Sequence, residues 1–317
     1  MFLDASPPWR GFFDENGGVK VTFSVFFSLL VNGLSMGMIY AMIAMGLILL
    51  IRAVGVLNFA QGDLLMVGAY IACVLFMDFQ LPFYIAAPLS LIFYALLGLV
   101  FMLSTYWPLR KASYPVAPII ATMGASLVLS EGTMIVFGSW PRTISPLLKN
   151  SKGKALTINI FGTRLQAQFL LIIVVAVVVM SLIYLLFEKS YIGIMMQAAA
   201  QDKPAAELMG ISTFMTTAVT YMLVTVLVSI GGYMVAPVYT VTTSLSALQL
   251  RAFAGTVIGG FGSIKGAIIG CLLVGTVESF ATVKFSSYKD AFVFLILIIF
   301  LIFRPQGLII NKVADKA

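Results

Sequence analysis

A chain of 317 residues with 61% hydrophobic and only 10% charged side chains falls far below the roughly one-quarter charged content of soluble domains; a soluble globule is excluded and a polytopic helical membrane protein is implied. The net charge of +7 suits a membrane protein and calls for no nucleic-acid partner. Histidine is absent, which removes the usual general base and the commonest metal ligand; the two cysteines, Cys73 and Cys271, sit in apolar runs and offer neither a disulfide framework nor CxxC metal spacing.

The first residues, MFLDASPPWRGFFDENGG, lack the basic and apolar regions of a signal peptide. Residues 1–22 are therefore expected to form an extracytoplasmic segment, with targeting supplied by the first span. Val21–Ile51, Phe79–Leu109, Leu165–Phe187 and Leu208–Leu250 carry no charge at all, and one helical crossing takes ~20 apolar residues. Spans are predicted near Phe23–Ile51, Phe59–Met77, Phe83–Trp107, Val116–Trp140, Gln166–Phe187, Phe214–Val238, Ile264–Thr282 and Ala291–Phe303. Ser246–Phe261 is ambiguous because it holds Arg251 and runs into Gly259, Gly260 and Gly262. Such a segment reads as a broken or re-entrant helix, shielded by protein or lining a cavity. The expected fold is all-α, with eight or nine spans in one transmembrane domain over residues 23–310 and a cytoplasmic tail at 311–317.

Polar residues inside this apolar frame are the candidates for function. Asn58, Gln61 and Asp63 open the second span. Asn58 as an N-cap with Gln61 in a capping box is the favoured reading, with solute contact or a hinge as the alternative. Glu131 and Glu278 lie within spans, where a charge costs at least ~2.5 kcal/mol; a structural hydrogen-bonding role and a pathway role are both open. Gly255, Gly259, Gly262, Gly266 and Gly270 form small-xxx-small arrays, as do Gly33 and Gly37. These let helices pack closely, and Gly259 and Gly262 also suit a helix that shifts during gating.

Two loops stand out. In residues 141–165, Leu156, Ile158 and Ile160 alternate with polar residues before Phe161–Gly162, a hairpin signal. The basic residues of that loop either meet an acidic partner or are simply solvated. Residues 190–212 place an Ala-rich, weakly amphipathic helix-turn with Gln201, Asp202, Lys203 and Glu207 between apolar runs; it is a handle on which something outside the membrane can pull. Taking that loop as cytoplasmic puts Arg142, Lys149, Lys152, Lys154 and Arg164 outside, against the positive-inside rule. It also puts the N-terminus outside and the C-terminus inside, which requires nine crossings. No G-x-x-x-x-G-K-[ST] occurs, so the chain has no phosphate cradle for ATP. Neither G-x-S-x-G nor H-E-x-x-H is present, so no catalytic set is visible.

Four segments in order, LNFAQGDLLMVGAY (Leu57–Tyr70), GIMMQAAAQDKPAAELMGIS (Gly193–Ser212), AFAGTVIGGFGSIKGAIIGCLLVGTVES (Ala252–Ser279) and RPQGL (Arg304–Leu308), resemble the branched-chain amino acid ABC transporter permeases, on the side of the shorter permease subunit. The likeness runs from about Leu30 to Ile310. It implies a permease in a bacterial cytoplasmic (inner) membrane, paired with a homologous second permease. It further implies two cytoplasmic ATPases carrying ATP and magnesium, an extracytoplasmic solute-binding protein, and no cofactor or metal in this chain. By the same resemblance Ala198, Ala199, Gln201, Asp202, Ala205, Leu208, Met209 and Gly210 occupy the segment that docks on the ATPase. The chain departs from the family twice: Ile194–Gln197 stands where basic residues are common, and Lys265 where the GSIxG turn usually has proline. The competing expectations are an importer of urea, short amides or sugars, and an ion-coupled secondary transporter, faintly suggested by glycine-rich elements at Gly62–Gly68 and Gly255–Gly270.

Overall fold

The computed structural model describes residues 23–110, 112, 114, 116–150, 155–160, 163–285, 288–304 and 306–309; the N-terminal segment, Lys152, Lys154, the Phe161–Gly162 turn and the C-terminal tail lie outside them. Long helices α1 (Phe23–Val54), α2 (Gln61–Cys73), α3 (Phe83–Phe101), α4 (Ala117–Phe137), α5 (Ala167–Lys189), α8 (Thr213–Val235) and α10 (Ile264–Phe285) form the bundle. Among the described residues seven helices are long and apolar enough to cross a membrane, α2 and α3 being extended by π-helical turns to Asp78 and Tyr106. The shorter α11 (Lys289–Phe303) is also apolar. Between α5 and α8 lie α6 (Tyr191–Gln201) and α7 (Lys203–Leu208), and α9 (Leu248–Gly259) follows a 3₁₀ turn at Thr243–Ala247. At 12 residues, α9 reaches only ~18 Å. The Ser246–Phe261 segment is thus a broken crossing.

Helix α1 is apolar on every side and is buried over most of its length, as such helices are when they form a core. Lipid tails give helices no hydrophobic reason to associate, so close backbone approach has to hold them together. The glycines supply it. A Cβ on Gly33 or Gly37 would strike the backbone of Thr276 or Leu272, and one on Gly275 would strike Gly33 and Gly37. Helices α9 and α10 interlock in the same way through Gly255 against Cys271 and Gly259 against Gly266.

The glycine turn after α9 also receives the end of the chain. Leu308 and Ile309 donate their N–H groups to the carbonyls of Ile258 and Gly259, both at 3.0 Å. Gly260, at φ 112°, leaves no room for a side chain beside the Ile309 carbonyl. Residues 307–309, at the end of and just past the RPQGL motif, are therefore a clasp on the α9–α10 turn.

At one end of the bundle Arg142 pairs with Asp78 at 2.8 Å and bridges to Val241, and Gln168 donates to the Met234 carbonyl. Strands β1 (Thr157–Ile160) and β2 (Thr163–Gln166) pair antiparallel there, Ile160 opposite Thr163. At the other end Arg52 pairs with Glu188 at 2.7 Å beside the α6–α7 hairpin. Since Val241 sits at the first end and Gly260 meets the clasp at the second, the Thr243–Gly259 stretch completes a pass. Counting the shorter α9 and α11 with the seven long helices gives nine candidate passes among the described residues, and residues 23 and 309 fall at opposite ends.

Candidate functional site

The α6–α7 hairpin is held rigidly by its own sequence. Ser190 caps α6 by accepting from the Gly193 N–H at 3.0 Å, and Asp202 caps α7 by accepting from the Ala205 N–H at 3.0 Å. Ser212 caps α8 in turn. Asp202 is extended, at φ −151°, and Pro204 follows in the first turn of α7, where its missing N–H is harmless. This break divides what the sequence presents as one alanine-rich helix. Gly193 fits against the Phe187 carbonyl, where any Cβ would collide, so α6 folds sharply back from α5. Lys203 donates from Nζ to the Tyr106 hydroxyl at 3.1 Å, and Thr213 donates to Glu207 at 2.7 Å, tying α7 to the ends of α3 and α8.

The eight residues expected to dock do not share one face. Gln201, Asp202, Ala205, Leu208, Met209 and Gly210 are exposed, Ala198 is half-buried and Ala199 is buried against the bundle. Leu208 and Met209 are 89% and 83% exposed. Two large apolar side chains therefore project from the tip of a braced hairpin, with none of the described residues covering them.

The start of α2 departs from the capping-box expectation. Helix α2 begins after Ala60, with no side-chain cap. Asn58 instead closes a turn, accepting from the Ala60 N–H at 2.9 Å. Other helices satisfy the neighbouring amides: Thr122 of α4 accepts from Phe59 at 3.2 Å, and Gln249 of α9 accepts from Gly62 while donating to the Asn58 carbonyl at 3.4 Å. Ser126 of α4 donates to Asp63. Gln61 is fully buried beside Gly46, and its amide nitrogen and oxygen find no hydrogen-bond partner among the described residues; nor does the Asn58 amide nitrogen. Buried amides are rarely left so. The beginnings of α2 and of the broken α9 thus meet in a polar seam inside the bundle.

Glu278 belongs to a second polar centre. Arg251 of α9 pairs with it at 2.9 Å and with Asp290 of α11 at 2.6 Å. Tyr40 of α1 donates to Glu278 at 2.6 Å and receives a bond from Arg251 at 3.3 Å. The cluster links four helices and satisfies the charges mutually. Sequence reasoning marked Arg251 and Glu278 separately and missed Tyr40, Asp290 and Gln249. The available signal was a lone cation in a charge-free stretch, which demands a buried acid. Gly259 serves the close contact with Gly266, whereas Gly262, at φ 101°, sits in the turn with open space where a side chain would be. Glu131 is exposed on α4, away from both polar centres.

A groove of about 410 Å³ opens between α1, α5 and α10, lined by Met38, Met45, Met180, Ile264 and Ile268 with Lys265 at its edge. Among the described residues no group of three or more metal-ligating side chains converges.

Seven helices long and apolar enough to cross a membrane among the described residues, with the broken α9 and an exposed, braced hairpin, define a multi-pass membrane protein. Residues 29–301 match the family model described as "Branched-chain amino acid transport system / permease component", and the chain belongs to that family. It is 30% identical over 300 residues to the high-affinity branched-chain amino acid transport system permease protein BraD of Pseudomonas aeruginosa, covering 90% of this chain and 96% of that one. To the permease protein LivH of Escherichia coli it is 27% identical over 310 residues, covering 93% and 98%. A chain of the solved PsaBC complex from Streptococcus pneumoniae aligns over 90% of this chain and 92% of its own length, at 14% identity and a TM-score of 0.46, a likeness too slight to carry an argument.

Proposed function

We propose that this chain is the pore subunit of an ATP-driven importer that moves branched-chain or other hydrophobic amino acids across a bacterial cytoplasmic membrane by alternating access. A homologous permease completes the pore, two cytoplasmic ATPases bind ATP and magnesium, and an extracytoplasmic binding protein delivers the solute. The chain itself performs no covalent chemistry. The observation that carries this reading is the α6–α7 hairpin, with Leu208 and Met209 bare at its tip and its base bonded to Tyr106, Phe187 and Thr213. A push on the tip is therefore delivered to α3, α5 and α8 together. A secondary transporter has no need of such a handle.

Docking there is apolar. The residues before the alanine run, Ile194–Gln197, bring no charge, and Met196 is buried. Leu208 and Met209 supply the contact surface, and Asp202 is occupied in capping α7. Nucleotide state shifts the permease only through a difference in affinity for its two conformations; a rigid hairpin converts that difference into helix movement. The test is site-directed crosslinking in the assembled complex. Leu208→Cys should crosslink to the co-expressed ATPase, with a yield that changes on adding ATP. Failure at Leu208, Met209 and Ala205 alike would overturn the docking assignment.

A further inference from the structure

Helix α4 has two unlike faces. Its inner face is fixed by Thr122 and Ser126, which bond Phe59 and Asp63 at the start of α2. Its outer face carries Ile120, Leu127, Val128, Glu131 and Ile135, which the helical spacing places on one side. Val128 and Ile135 are 72% and 81% exposed. Glu131 is exposed among them, and no hydrogen bond or ion pair joins it to any described residue. Gly124 and Gly132 leave open space above and beside it.

A carboxyl in the middle of a span does not face lipid tails; such groups turn to protein or to a water-filled cavity. The outer face of α4, though exposed and apolar, is therefore not a lipid face. We propose that it lines the translocation path, and that Glu131 accepts the α-ammonium group of the amino acid while Leu127, Val128 and Ile135 contact its aliphatic side chain. An isolated carboxyl ringed by branched apolar surface is complementary to a hydrophobic amino acid, whose ammonium and side chain leave the same carbon. The space at Gly124 and Gly132 lets a small ligand reach the carboxyl. On the inner side of the same helix lies the α2–α9 seam, where the Gln61 amide finds no hydrogen-bond partner among the described residues, so α4 stands between this path and the seam. The assignment rests on the amino-acid transport reading above and adds to it the residue that selects for an ammonium group.

The test uses the whole importer, co-expressed with its partner subunits in membrane vesicles. Val128→Cys and Ile135→Cys are each treated with a charged, water-soluble thiol reagent. Both should react, and leucine should slow the reaction. Adding Glu131→Gln should raise the leucine concentration needed for half protection by about tenfold or more, the range set by a hydrogen bond to a charged partner, and Glu131→Asp should restore part of it. Two results would each overturn the assignment: no reaction at either cysteine, or equal protection with Gln at position 131. If the wild-type importer takes up no leucine while the cysteines still react, the transport reading fails, and that outcome is separable from failure at Glu131.

Discussion

Truncating Arg251 to alanine takes from Glu278, whose side chain is 7% exposed, the guanidinium that pairs with it at 2.9 Å. Removing one partner of a buried ion pair costs ~3–5 kcal/mol, whereas replacing both with apolar residues of similar volume is often close to neutral. Arg251→Ala should therefore lower the thermal midpoint of the purified protein markedly, and Arg251→Met combined with Glu278→Leu should recover part of the loss. Equal destabilisation by the single and double variants would show that the pair contributes no coupling. The glycines give a parallel contrast. Gly259→Ala drives a methyl group into the Gly266 carbonyl and should separate α9 from α10, while Gly132→Ala meets nothing and should leave the midpoint unchanged. Both charges of the ion pair were legible in the sequence as anomalies in apolar surroundings. Their partnership was not, because it depends on how α9 lies across α1 and α10, and no periodicity within one helix encodes that.

At the scale of elements, the hairpin behaves as one rigid lever. Asp202→Ala removes the α7 cap and should cost about 1 kcal/mol of local stability. Measured as faster amide exchange in α7, the effect should spare α8, which keeps Ser212 as its own cap. Leu208→Ala with Met209→Ala leaves those caps intact, so uptake should fall severalfold or more while the complex still assembles; undiminished uptake would show that the tip carries no force. The sequence presents this stretch as one alanine-rich helix-turn, whereas the caps at Ser190 and Asp202 and the proline after it, which act locally, make two helices of it. The start of α2 is misread for a non-local reason. Asn58 and Gln61 have capping-box spacing, yet Thr122 and Gln249 from distant helices take up the amides that a cap would have served, and the helix begins later. The broken α9 was readable from Arg251 and its glycines, though its junction with α2 was not.

For the whole molecule, residue 23 and the C-terminal clasp lie at opposite ends of the bundle, the arrangement required by an external start and an internal tail. Cysteine at Ile158 should label with an impermeant reagent in intact cells and cysteine at Gln201 should not; the reverse pattern would invert the orientation and place the hairpin where no ATPase can reach it. The basic outer loop argued against this orientation in the sequence. The structure ties part of that loop down, through the Arg142–Asp78 pair and the β1–β2 hairpin, so its charge is partly spent within the chain. The decisive measurement is uptake of leucine into sealed vesicles holding either the complete importer or this subunit alone. Accumulation against the gradient should occur only with the ATPases, the binding protein and ATP all present. Accumulation by the lone subunit, driven by an ion gradient and indifferent to nucleotide, would contradict a pore moved from outside by its hairpin.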